Sequence, residues 1–289
     1  MCPVATVSVT CSKSAANPID NKDKPVSKIY AITNQKGGVG KTTTCVNLAA
    51  SLVATKKRVL LVDLDPQGNA TMGSGIDKND LEESVYDVLL GEASLLDVIL
   101  HSEAGGYDVL PANGDLTAAE VRLLELDQKE TRLRAALKET SGRYDFVLID
   151  CPPSLNMLTV NALSACQSVI IPMQCEYYAL EGLSALMQTI GQITEVLNPG
   201  LAIEGILRTM HDPRNSLTVD VSAQLTEHFG DKVYRTCIPR NVRLAEAPSF
   251  GQPALAYDNQ SKGAIAYLAL AGEILRRHEA HAKSMANAH

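Results

Sequence analysis

A chain of 289 residues, 45% apolar and 20% charged with a formal net charge of −7, has room for one large core and does not read as a generally basic nucleic-acid binder. No apolar run approaches the ~20 residues that span a bilayer. Seven cysteines, an odd number without a C-x-x-C pair, argue against a disulfide framework or a zinc site and suit a reducing cytoplasm.

Residues 1 to 26 are rich in Lys, Asp, Asn, Ser and Pro and lack an apolar segment behind a basic start. They are expected to form a disordered tail rather than a signal. Residues 27 to 280 are expected to form a single domain. The first strand is KIYAIT, 28 to 33. It leads into NQKGGVGKTT, 34 to 43, and a helix opens at Lys41 and runs to about residue 56. Glycines 37, 38 and 40 let successive N–H groups turn inward around an anion, and the helix N-terminus adds partial positive charge. Gly37, Gly38, Val39, Gly40, Lys41, Thr42 and Thr43 are the expected phosphate contacts. Lys41 reaches the terminal phosphates and Thr42 offers a hydroxyl to Mg²⁺. The loop departs from the usual G-x-x-x-x-G-K-[ST] pattern, because Gln35 stands where the first glycine belongs and Lys36 supplies a second lysine.

RVLLVD, 58 to 63, is the next strand and ends in Asp63, with Asp65 two residues on. Either carboxylate can hold Mg²⁺ or position water, and Asp63 can equally tie its own loop together. YDVLP, 107 to 111, is a strand, and helical spacing predicts a helix over 115 to 140 with Asp115 as its N-cap. DFVLID, 145 to 150, is four apolar residues ending in Asp150, the pattern that brings one carboxylate to the Mg²⁺ side of a phosphate loop. Cys151-Pro152-Pro153-Ser154 follows as a turn of few backbone states. SVIIPM, 168 to 173, is a strand, and a helix spans about 179 to 197. IEGILRT, 203 to 209, and KVYRTCI, 232 to 238, are the last strands. The runs are continuous rather than alternating, so both faces are buried. The fold class is therefore α/β, a mostly parallel, doubly wound sheet with helices on both faces. Ligands then lie beyond the carboxyl ends of the strands. That places Met210, Pro239 and Asn241, in the loops after the last two strands, as candidate adenine contacts. Residues 1 to 200 hold 16 Lys+Arg against 24 Asp+Glu, yet KVYRTCIPRNVR, 232 to 243, has four basic residues and no acidic one. AIAYLALAGEILRRHEAH is mostly apolar and reads as a helix docked on the core, with a frayed tail over 281 to 289.

KGGVGKTT resembles the deviant phosphate loop of the ParA/MinD family of ATPases, and VDLDPQGNAT, DFVLIDCPPS, QCEYYALEGLSAL and IPRNVRLAEAPSFGQPALAYDNQSKGAIAY resemble its ParA/Soj branch. The resemblance implies a P-loop ATPase that uses ATP and Mg²⁺ and forms a homodimer in the ATP state. In such a dimer Lys36 crosses to the nucleotide of the other subunit, Asp65 orients the attacking water, and Asp63 supports the Mg²⁺ side. It further implies nonspecific DNA binding through Arg214 and Arg243, with Arg240 as a third position, and a ParB-type centromere-binding partner that stimulates hydrolysis. The expected location is cytoplasmic and nucleoid-associated. Three rivals remain at this point. They are a membrane-cycling MinD-like positioning ATPase, a small-molecule kinase or ligase on the same loop, and an electron-transfer ATPase with Cys151 near an iron–sulfur cluster.

Overall fold

The computed structural model describes residues 27 to 286, so the expected tail over 1 to 26 and residues 287 to 289 lie outside the described residues. Eight strands run in chain order β1 (Lys28–Ile32), β2 (Val59–Asp63), β3 (Leu100–Ser102), β4 (Tyr107–Leu110), β5 (Phe146–Asp150), β6 (Ser168–Gln174), β7 (Ala202–His211) and β8 (Val233–Pro239). They form one sheet in the order β3-β4-β2-β5-β1-β6-β7-β8. All pairs are parallel except β3 with β4. The seven strands expected from the apolar runs are all present. β3 is the addition, a three-residue antiparallel edge too short to announce itself by pattern.

Neighbouring residues of one strand feed two different cores, as a period of two requires. Ala31, Val147, Ile149 and Val169 join one apolar cluster with α7 (Met157–Ala165) and α8 (Ala179–Val196). Tyr30, Ile32, Leu148 and Ile170 join the other with α1 (Lys41–Ala54) and the long C-terminal helix (Lys262–Ala286). That last helix sinks Tyr267, Leu270, Ala271 and Ile274 into the core and packs on β8 and α1. It continues to Ala286, into the stretch expected to fray.

The single helix expected over 115 to 140 is instead two, Leu116–Leu124 and Arg132–Leu137. Between them Gln128 takes a left-handed φ of 54°. Asn161 on α7 fills the break: its amide donates to the Lys129 carbonyl at 2.7 Å and its Oδ1 accepts from Leu133 N–H at 3.1 Å. A buried side chain from elsewhere thus satisfies backbone groups that a continuous helix would have paired itself. Asp115 occupies the N-cap position, although its side chain makes no capping bond.

Candidate nucleotide-binding site

β1 lies between β5 and β6, and β5 separates it from β2, so the loop after Ile32 and the ends of β2 and β5 share one edge of the sheet. Ile32 pairs with Asp150, and Asp150 with Asp63. Gly38 (φ 73°) and Gly40 (φ 89°) hold the loop in a conformation that L side chains rarely adopt. A Cβ at Gly37 or Gly38 would meet nothing within 4 Å, so open space adjoins the loop at both positions. Gly40 caps α1 and its carbonyl accepts from Thr44 N–H at 2.9 Å. Thr209, on β7, donates its hydroxyl to the Val39 carbonyl at 2.7 Å and pins the loop from behind.

The two lysines of the loop face different ways. Lys41 is buried, and its Nζ donates to the Lys36 carbonyl at 3.2 Å, in the loop itself. Burial lowers its pKa, and the nearby Asp150 carboxyl opposes that shift. Lys36 has a side chain 44% exposed, and its Nζ contacts Glu176 Oε2 at 2.5 Å across the rim. Its backbone N–H donates to Asn34 Oδ1 at 2.9 Å, and Asn34 in turn donates to the Pro172 carbonyl of β6 at 2.8 Å.

The three aspartates occupy distinct environments. Asp63 is fully buried with both oxygens engaged. Oδ2 accepts from the Thr71 N–H and hydroxyl, each at 2.8 Å, and Oδ1 from Asp65 N–H at 3.1 Å. Burial pushes it up to about 6 in spite of those bonds. Asp65 is half-buried in the following turn, where its Oδ1 accepts from Gln67 N–H at 3.0 Å. Asp150 is fully buried. Its Oδ1 accepts the Cys45 thiol at 3.4 Å, while Oδ2 has no hydrogen-bond partner. Burial, then the charge of Asp63, pushes Asp150 up to about 8. A buried carboxylate oxygen without a partner is costly in a metal-free protein and fits a divalent cation. The Thr42 hydroxyl lies close enough to favour the ionised form of Asp150. Thr42 and Asp150 are therefore candidates to hold Mg²⁺, while Asp63, the third expected metal residue, accepts three hydrogen bonds from its own loop. Neither Thr71 nor Cys45 was legible as a site residue. Thr71 reaches Asp63 from a short helix (Asn69–Gly73), and Cys45 reaches Asp150 from the second turn of α1.

The loops after β7 and β8 close a cavity of about 230 Å³ behind the phosphate loop, lined by Gly40, Thr43, Met210, Pro239, Arg240 and Asn241. The structure thus brings the three expected adenine contacts to the helix end of the loop. Asn241 Oδ1 is buried there without a partner, and Met210 adopts a left-handed φ of 49°, strain of the kind stored at ligand sites.

Arg214 and Arg240 lie on neighbouring loops, since β7 and β8 pair up to His211 and Pro239. Arg214 is 88% exposed at its side chain and forms two bonds to Asp212, at 2.9 and 2.8 Å. Arg243 contacts Glu246 at 2.8 Å and Asp258 at 3.2 Å. The acid-free stretch of sequence therefore acquires acidic neighbours in space. Such solvent-exposed pairs are weak, and phosphate can displace them. Arg240 is exposed at the mouth of the cavity. Cys151 is fully buried, and its thiol points at the Ile149 carbonyl, 3.9 Å away, rather than outward to a shared cluster.

Residues 27 to 203 match the family model described as an AAA domain. The chain is 54% identical over 249 residues to the sporulation initiation inhibitor protein Soj of Bacillus subtilis, covering 86% of this chain and 98% of that protein. It is 50% identical over 265 residues to the chromosome partitioning protein ParA of Caulobacter vibrioides, covering 91% and 96%. Among solved structures, cobyrinic acid a,c-diamide synthase from Mycobacterium smegmatis, with bound ATP analog and magnesium, superposes with a TM-score of 0.78 at 39% identity, covering 88% of this chain and 96% of that one.

Proposed function

The chain belongs to the ParA/Soj family of chromosome-partitioning ATPases, and from that premise we propose a cycle between a monomer and an ATP-sandwich homodimer that binds DNA without sequence preference. It is an ATPase whose cofactors are ATP and Mg²⁺. The observation that carries the dimer reading is the divergence of the two loop lysines. Lys41 turns inward to the phosphate loop, and Lys36 stands on the rim, its half-exposed side chain turned to Glu176. A cation presented there can stabilise charge on a nucleotide held by a second copy, as an arginine finger does. Bound Mg²⁺ would neutralise charge on the terminal phosphates, and Thr42 and Asp150 would hold it. Asp65, two residues beyond a strand end and tied to Asp63 through its own N–H, is the residue assigned to orient water. A ParB-type partner would complete the arrangement and release the dimer from the nucleoid.

The Asn241 side chain accounts for base recognition in this reading. Turned toward the cavity, its unpartnered oxygen would accept from the exocyclic amine of adenine. Asn241→Ala is expected to weaken ATP binding about fivefold, the effect of one neutral hydrogen bond. It should also raise the melting temperature of the nucleotide-free chain, because a buried orphan acceptor is removed. Calorimetry with and without ATP measures both.

DNA binding is the decisive assay. A dimer would present Arg214, Arg240 and Arg243 twice. Six phosphate contacts imply a fall in affinity of roughly a thousandfold between about 50 and 200 mM salt. Binding should appear with ATP and vanish with ADP or without nucleotide. Lys36→Ala should abolish the ATP dependence, and Arg243→Glu should weaken binding while reducing the salt slope. Equal binding in all three nucleotide states would remove the switch.

The membrane-cycling alternative fits less well. The C-terminal helix spends its apolar side on β8 and α1, and among the described residues no helix is long and apolar enough to cross a membrane. The amide-forming activity named for the Mycobacterium smegmatis relative is a second rival. Phosphate release with no metabolite present separates it from the partitioning cycle.

A further inference from the structure

We propose that Glu176 is a positioning residue that holds Lys36 in cis and so sets the threshold at which two ATP-loaded copies pair. The proposal rests on the dimer reading above and adds to it a named competitor for the crossing lysine. An ammonium has three donors, but a side chain extended across to the nucleotide of another copy is drawn away from the carboxylate of its own chain. In the single chain it is with the carboxylate, at 2.5 Å.

Both ends of this contact are anchored by backbone. On one side, the Lys36 N–H is tied to Asn34, and its carbonyl receives Lys41. On the other, the Glu176 N–H donates to the Gln174 carbonyl at 3.0 Å, and the Glu176 carbonyl accepts from Ala179 N–H at 3.0 Å, at the start of α8. The latch can therefore open by side-chain rotation alone, with the phosphate loop unmoved. The two side chains are 44% and 50% exposed, so the pair is weak enough to yield to a triphosphate. The same loop carries Tyr177 and Tyr178, 76% and 69% exposed and packed edge to face with ring centroids 5.0 Å apart. Two exposed aromatic rings next in sequence to Glu176 suit burial against a second copy, so the latch adjoins a face that pairing would cover.

The magnitude follows from the exposure. Releasing one exposed pair is worth about two- to fivefold in an equilibrium. Each copy releases one latch, so the dimer constant carries the factor twice, about four- to 25-fold. Glu176→Gln keeps the shape and removes the charge. With Mg²⁺ and a non-hydrolysable ATP analogue, sedimentation of the full chain should show this variant pairing about four- to 25-fold more tightly than wild type. Without nucleotide, an amine-reactive reagent should label Lys36 about two- to fivefold faster in the variant, with Lys78 and Lys262 unchanged as internal controls. An equal melting temperature shows that the fold is kept. If wild type pairs and Glu176→Gln pairs no more tightly, or if Lys36 labels at the same rate, the latch is overturned while the dimer stands. If neither chain pairs, the dimer reading falls and the latch falls with it.

Discussion

Lys36→Gln is expected to leave ATP binding by the single chain nearly intact and to lower partner-stimulated hydrolysis by about a thousandfold, the lower end of what a charge supplied in trans contributes to phosphoryl transfer. The reason is geometric. Lys41 is the buried cation of the phosphate loop, and the Lys36 ammonium lies outside it, against Glu176. Gln is one bond shorter and keeps a donor but not the charge, so the loss falls on the transition state rather than on folding. The backbone carbonyl that receives Lys41 is untouched by the substitution. Lys41→Gln should behave differently and lose nucleotide affinity itself. Measuring ATP affinity, pairing and phosphate release on both variants separates the two lysines. A Lys36→Gln chain that pairs and turns over at the wild-type rate would reduce the structure to an ordinary single-copy nucleotide pocket.

Much of this was legible because the chemistry leaves little choice of residue. A loop that curls its N–H groups around phosphate needs glycine at positive φ, and Gly38 and Gly40 take φ values of 73° and 89°. A strand buried on both faces needs a continuous apolar run, and that pattern located β1, β2 and β4 to β8. Features that depend on distant partners were not legible. The break at Gln128 is held by Asn161, about 30 residues later in the chain, so local spacing there still favours a helix. Asp63 and Asp65 look interchangeable in sequence. Only the position of Thr71, which gives Asp63 two bonds, sets their surroundings apart. The cavity by Asn241 depends on β7 and β8 lying side by side, which follows from strand order and not from any one motif. The basic stretch 232 to 243 misleads in the opposite direction, since Glu246 and Asp258 reach Arg243 from outside it.

Asp150→Asn is expected to lower Mg²⁺-dependent hydrolysis by roughly a hundredfold or more, since the ion contributes several kcal/mol of charge stabilisation, and to change two pH profiles as well. In the metal-free chain the Asp150 carboxyl is pushed up to about 8, first by burial and then by Asp63. An unfolded aspartate ionises near ~4. Between those values the folded chain holds a proton that the unfolded chain has released. Metal-free stability is therefore full below ~4 and is lost as pH rises toward about 8. Mg²⁺ requires the ionised form, so its apparent affinity should climb about tenfold per pH unit up to that point and level off above it. The nucleotide contributes a proton of its own, and comparing wild type with the Asn variant at each pH subtracts it. Asp150→Asn should flatten the stability profile and remove this part of the Mg²⁺ slope. Asp63→Asn should keep the slope but level off at lower pH, since the charge of Asp63 no longer raises Asp150, and should loosen the turn at Asp65, because the bond from the Thr71 hydroxyl depends on its carboxylate. If the Mg²⁺ slope persisted in Asp150→Asn and disappeared in Asp63→Asn, the ion would be held from β2 rather than from β5.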